Sequence, residues 1–204
     1  MRSFSTLFSI MMLLVIFLFS QCADNSTAVS TDKDSVAVSG NNFGGFQSKE
    51  EWGAHLVTLG GCHDCHTPKK MTAMGPVNDS SQMLSGHPAS LPVPDVDRKM
   101  LEGKGLITTN DLTVWIGPWG VSFAANITSD STGIGNWTED QFLYCLREGK
   151  WKGLEGSRPL LPPMPWETMR LMSDDELKAL FAYLKSTPPV TNVVPAPLPP
   201  AMAQ

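Results

Sequence analysis

Gly61-Cys62-His63-Asp64-Cys65-His66-Thr67-Pro68 sets the reading of the whole chain. Within it, Cys62-His63-Asp64-Cys65-His66 has the spacing Cys-x-x-Cys-His, the attachment pattern of a c-type haem. Two thiols three positions apart on one helical turn can add to the two haem vinyl groups as thioethers. His66 then lies under the iron and offers an imidazole nitrogen as axial ligand. Covalent attachment keeps such a cofactor from washing out of a protein that works outside the cell. Three other readings compete. A thioredoxin-like redox pair needs a βαβ setting, whereas the flanks here are helical and coil. A structural zinc site draws its second ligand pair from a distant segment, and the one later cysteine, Cys145, has no ligand neighbour. A disulfide between Cys62 and Cys65 is the third.

The second axial ligand decides what such a haem does. Met164 stands in Pro162-Pro163-Met164-Pro165-Trp166, where prolines fix φ and remove donors. A stiff loop of this kind can hold a thioether at a metal with little ordering cost. Met71, Met74, Met83, Met100, Met169 and Met172 have no such setting and read as apolar packing. His55 and His87 are rival ligands, His55 reading as a surface or core residue and His87, in Gly86-His87-Pro88, as a loop residue.

Outward from the motif, three helices carry start signals. Ser48-Lys49-Glu50-Glu51, Thr138-Glu139-Asp140-Gln141 and Ser173-Asp174-Asp175-Glu176 all read as capping boxes. The first helix ends at Gly60-Gly61, the second at Gly149, and the third before Pro188. Leu177, Leu180, Phe181 and Leu184 place one buried stripe on the third. Thr113–Ile116 and Val121–Ala124 predict a hairpin around a four-residue loop, Gly117-Pro118-Trp119-Gly120. The stretch from about 77 to 110 shows no regular pattern.

The ends read differently. Residues 1–21 form an export signal, with an apolar run from Ile10 to Phe19 that is too short for the ~20 residues of a membrane span. Residues 22–47 are a polar, flexible tether, and 191–204 a Pro-rich tail. The folded unit is then 48–190, a single domain. The whole chain has 204 residues, 42% of them hydrophobic, and a net charge of −5. That acidic balance argues against nucleic acid as a partner.

The order helix, Cys-x-x-Cys-His, long loop, Pro-Met-Pro, C-terminal helix resembles the class I c-type cytochromes. More closely, the chain resembles the cytochrome subunits of periplasmic dehydrogenases. The match runs through Gly61–Pro68, Gly117–Thr128, Gly133-Ile134-Gly135, Trp137-Thr138-Glu139 and Pro162–Trp166. Those subunits commonly carry several haems, and this chain has one Cys-x-x-Cys-His. The resemblance implies a mainly α fold, a cytochrome c-like helical domain around one covalent haem c, with a long inserted loop containing a short β-hairpin. It implies iron ligation by His66 and Met164. It also implies a Pro carbonyl that accepts from the proximal imidazole, matched by Pro76, with Pro68 second. Gly53 would face Tyr183 or Phe181 where the first and last helices cross. Asn126 or Trp137 would donate to a haem propionate.

Cys22, after Phe19-Ser20-Gln21, resembles the lipid-bearing cysteine of bacterial lipoproteins and implies a membrane-held protein. The expected function is an electron carrier and not an enzyme, passing single electrons to or from dehydrogenase or oxidase partners in the periplasm or at a membrane. The alternatives are a peroxidase-like enzyme or gas binder with an open iron, or a fixed cytochrome subunit of a dehydrogenase.

Overall fold

A computed structural model describes residues 43–105 and 107–201. The expected signal, Cys22 and the tether up to residue 42 lie outside the described residues. Residues 43–47, assigned to the tether, are already folded. Phe46 packs at a tilt on His55 with ring centroids 4.9 Å apart, and Gly44 lies close against the Trp52 indole.

Helix α1 spans Lys49–Leu59. Ser48 caps it by accepting from the Glu51 amide at 3.0 Å, while the Glu51 carboxylate accepts from the Gln47 amide at 3.0 Å. The reciprocal arm of the expected box thus reaches one residue further back. Gly61, at φ +63°, turns the chain into α2, Cys62–His66. Strands β1 (Lys69–Thr72) and β2 (Gly75–Asn78) follow as an antiparallel hairpin. The long connection then holds a one-turn helix α3 (Arg98–Glu102) and a short strand β3 (Ile107–Thr108). Strands β4 (Val114–Gly117) and β5 (Gly120–Phe123) complete a three-stranded antiparallel sheet in the order β3-β4-β5. Gly117 pairs with Gly120, so the hairpin closes through Pro118-Trp119 alone, tighter than the four-residue loop expected. Helices α4 (Glu139–Glu148), α5 (Trp166–Met169) and α6 (Asp174–Ser186) follow. Both α4 and α6 have complete capping boxes, Thr138 with Gln141 and Ser173 with Glu176.

The architecture is therefore helical with two small sheets, one of them the unforeseen β1-β2 hairpin. Helix α1 packs along α6. The contact is close because Gly53 is buried against the Ala179 carbonyl and the Tyr183 β-carbon. Leu177, Leu180, Phe181 and Leu184 are all buried, as the stripe predicts, and they meet Val57 and Phe142 in one apolar core. Such burial is the dominant stabilising term, about 1.5–3 kcal/mol for each large apolar side chain.

The segment after α6 is no loose tail. Leu198 pairs with Val121 on the free side of β5. The buried Glu102 takes Arg98 at 2.8 Å through one oxygen and the Ala201 amide at 2.7 Å through the other. Asn192, also buried, is tied to residues 85–89. The folded unit thus runs through Ala201 and does not stop near 190.

Candidate haem-binding site

Cys62, Cys65 and His66 share the single turn α2. Its C-terminal carbonyls are collected by Lys69, whose ammonium donates to His63 (2.9 Å), Asp64 (2.7 Å) and Thr67 (2.5 Å). A cation there satisfies groups that a helix end leaves orphaned and complements its dipole. Sequence reasoning missed Lys69, although a lysine three residues past a motif helix is a readable capping signal. Both cysteines are free. Burial pushes the Cys62 thiol up to about 11 and raises Cys65 as well, with the Asp64 carboxylate adding to both. Both sulfurs are therefore protonated near neutral pH, the reverse of the low-pKa thiolate of a disulfide-exchange pair.

His66 is half-buried, and its Nδ1 lies 2.7 Å from the Ala125 carbonyl oxygen. A carbonyl only accepts, so Nδ1 carries the proton. Burial also lowers the pKa of the ring, which is therefore neutral, and its Nε2 keeps a free lone pair. The acceptor expected at Pro76 is thus supplied elsewhere. Pro76 sits exposed in β2, paired with Met71 on the solvent-facing hairpin, and Pro68 instead accepts from the Asp79 amide. The Ala125 carbonyl is brought to the imidazole by a close backbone approach. The Gly86 amide donates to the His66 carbonyl at 2.8 Å, and the His87 amide to Ala124 at 2.9 Å. A β-carbon on Gly86 would lie 2.4 Å from the Ala125 carbonyl carbon, so only glycine fits.

Met164 is half-buried and borders the same apolar core as Cys62. Its loop is fastened to β5: Ser122 Oγ donates to the Pro162 carbonyl at 2.6 Å, and Trp119 Nε1 donates to Ser122 Oγ at 3.1 Å. Met169 and Met172 also pack on that core. The rival histidines are otherwise occupied. His55 is exposed beneath Phe46. His87 is buried, with Nδ1 2.8 Å from Thr113 Oγ1 and Nε2 3.2 Å from the Leu91 carbonyl. Asn126 is not placed to serve a propionate. Its carboxamide is buried and spent on Thr132, Val190 and Thr128. Trp137 is half-buried against the core.

The donor set fits a covalent haem: two protonated thiols at i and i+3, a neutral imidazole with Nε2 free, and a thioether on the shared apolar core. Among the described residues no three His, Cys, Asp or Glu side chains converge as an alternative cation site, and no helix is long and apolar enough to cross a membrane.

No family model matches the chain. It is 39% identical over 80 residues to a nicotinate dehydrogenase subunit of Pseudomonas putida, covering 39% of this chain and 6% of that protein. It is 39% identical over 67 residues to the gluconate 2-dehydrogenase cytochrome c subunit of Pantoea cypripedii, covering 32% and 14%. Over 83 residues it is 36% identical to the fructose dehydrogenase cytochrome subunit of Gluconobacter japonicus, covering 40% and 15%. The matches thus span less than a sixth of each relative's length. These distant relatives, cytochrome subunits of dehydrogenases among them, support a cytochrome c-like family for this chain.

Proposed function

We propose that this chain is an electron-transfer protein, a monohaem cytochrome c that shuttles single electrons outside the cytosol and is not itself an enzyme. The observation that carries this reading is the state of His66. Its Nδ1 proton is committed to Ala125, which leaves Nε2 as a lone pair on a neutral ring beside two free thiols. Bound haem supplies a one-electron iron couple. In this reading Cys62 and Cys65 would hold it covalently and His66 and the Met164 thioether would be its iron ligands, leaving it to pass electrons without binding oxygen or peroxide. The apolar core that borders Cys62 and Met164 excludes water from that side.

The names of the relatives favour a second form of the same reading, in which the chain is a fixed cytochrome subunit on a dehydrogenase. Export by residues 1–21 and a lipid on Cys22 would hold it at a membrane beside such a partner, with an oxidase as the other.

The test is expression with a c-type maturation system. Covalent haem by pyridine haemochrome, with a low-spin spectrum that turns high-spin or changes ligand in Met164→Ala, is the expected result. A parent chain without covalent haem, or one whose oxidised iron is five-coordinate, overturns the reading. Co-purification with a dehydrogenase separates the fixed subunit from the free carrier.

A further inference from the structure

One side chain in the segment after α6 reaches the neighbourhood of the haem ligand and has no role in the reading above. Asn192 is buried, and its carboxamide makes three hydrogen bonds to a single short stretch. Nδ2 donates to the Ser85 carbonyl at 2.7 Å and to the His87 carbonyl at 2.8 Å, and Oδ1 accepts from the Ala89 amide at 2.9 Å. The two carbonyls flank Gly86. On its other sides Gly86 donates to the His66 carbonyl and lies against the Ala125 peptide too closely for any β-carbon. That same peptide presents the oxygen that accepts from His66 Nδ1. The Asn192 main chain is held in turn, its amide donating to Thr132 Oγ1 at 2.9 Å, while Asn126, next to Ala125, donates to the Val190 carbonyl at 2.8 Å.

We infer that Asn192 is a positioning residue for His66: by fixing the carbonyls on both sides of Gly86, it seats that glycine between the His66 main chain and the Ala125 peptide and so sets the hydrogen bond on the imidazole. The inference rests on His66 being an iron ligand. An acceptor on the outer nitrogen makes a ligating imidazole a stronger donor, which favours Fe(III) and lowers the midpoint potential. Loosening Asn192 relaxes the 85–89 stretch, weakens the Ala125 contact and raises the potential.

A residue that only ties down the chain end would cost stability without touching the imidazole, and Ser129 supplies that comparison. Its hydroxyl holds the Thr187 carbonyl at 2.6 Å, outside the 85–89 stretch. The experiment uses the haem-loaded protein and reads the midpoint potential together with solvent exchange of the His66 Nδ1 proton by NMR. Asn192→Ala is expected to raise the potential and to speed Nδ1–H exchange by about tenfold or more, whereas Ser129→Ala leaves both at the parent values. Gly86→Ala is expected to act in the same direction as Asn192→Ala. Gly75→Ala, at another positive φ but with open space around it, is expected to do nothing to either. If Asn192→Ala does not fold, the parent decides: His66 Nδ1–H and the Ala89 amide are expected to exchange through one opening with equal protection, and unequal protection overturns the inference. A haem-loaded Asn192→Ala with the parent's potential and exchange overturns this inference alone. A parent that takes up no haem overturns the ligand reading as well.

Discussion

Gly53→Ala pits two well-characterised effects against each other at the crossing of α1 and α6. Alanine favours a helix interior over glycine by about 1 kcal/mol, so the local effect is stabilising. At this position, however, the new methyl would sit 2.0 Å from the Ala179 carbonyl oxygen and 2.6 Å from the Tyr183 β-carbon, against an ordinary contact of 3.4–4 Å. Both neighbours are fixed to the α6 backbone, so no rotamer change relieves them. The helices must separate by roughly 1.4 Å, the difference between 2.0 and 3.4 Å. That opens the packing around Val57 and Leu180. Overpacking costs about 1–3 kcal/mol, and a clash against backbone belongs at the top of that range. The net expectation is a destabilisation of about 2 kcal/mol, or a Tm lower by roughly 4–8 °C for a domain of this size. Urea and thermal unfolding followed by circular dichroism measure it, with parent and variant in the same haem state. A Gly53→Ala protein as stable as the parent, or more stable, would refute the close crossing.

Replacing Cys62 and Cys65 together by alanine is expected to abolish haem that survives acid–acetone extraction, while haem persisting covalently would remove both from the site. Met164→Ala is expected to lower the midpoint potential and alter the spin state, with Met169→Ala as a packing control that leaves the low-spin spectrum intact. Ser122→Ala removes the hydroxyl that fastens the Met164 loop to β5 and leaves Trp119 Nε1 without its acceptor. It should cost about 1 kcal/mol in unfolding experiments. The Asp79 carboxyl, drawn from 3.8 to about 2 by the Ser81 hydroxyl and amide and by Lys70, has a folded-state pKa below its unfolded one. Its contribution is therefore present above pH 3.8 and fades as pH falls towards 2. Asp79→Asn should match the parent at the acid end and fall below it at pH 5, and identical curves at both would contradict the pairing.

The parts of the fold that were legible in the sequence are those with local causes. Ser48, Thr138 and Ser173 cap the helices they announce because a hydroxyl beside an amide three residues on is a short-range signal. The α6 stripe and the hairpin around Gly117 and Gly120 were readable from periodicity and turn chemistry. Strand β1 was not, since Lys69-Lys70-Met71-Thr72 is exposed at three of four positions and shows no alternation. Helix α3 spans five residues, too few for a helical period to emerge. In the site, the turn bearing Cys62, Cys65 and His66 was readable from side-chain chemistry. Ala125 was not, because every residue carries a carbonyl and only the approach through Gly86 singles this one out. Asn126 looked free for a ligand because two of the groups it serves, the Val190 and Asn192 carbonyls, lie more than sixty positions further along the chain. The Pro-rich composition after α6 signalled extended backbone and nothing of where it docks.

The docking of that last segment also imposes an order of events. Asn192 meets Ser85, His87 and Ala89 across separations of 107, 105 and 103 residues, and Ala201 meets Glu102 across 99. Contacts of such length close late, after local helices and hairpins have formed. The turn that carries Cys62 and Cys65 therefore forms on local contacts, while the stretch backing His66 is secured by a residue about a hundred positions away.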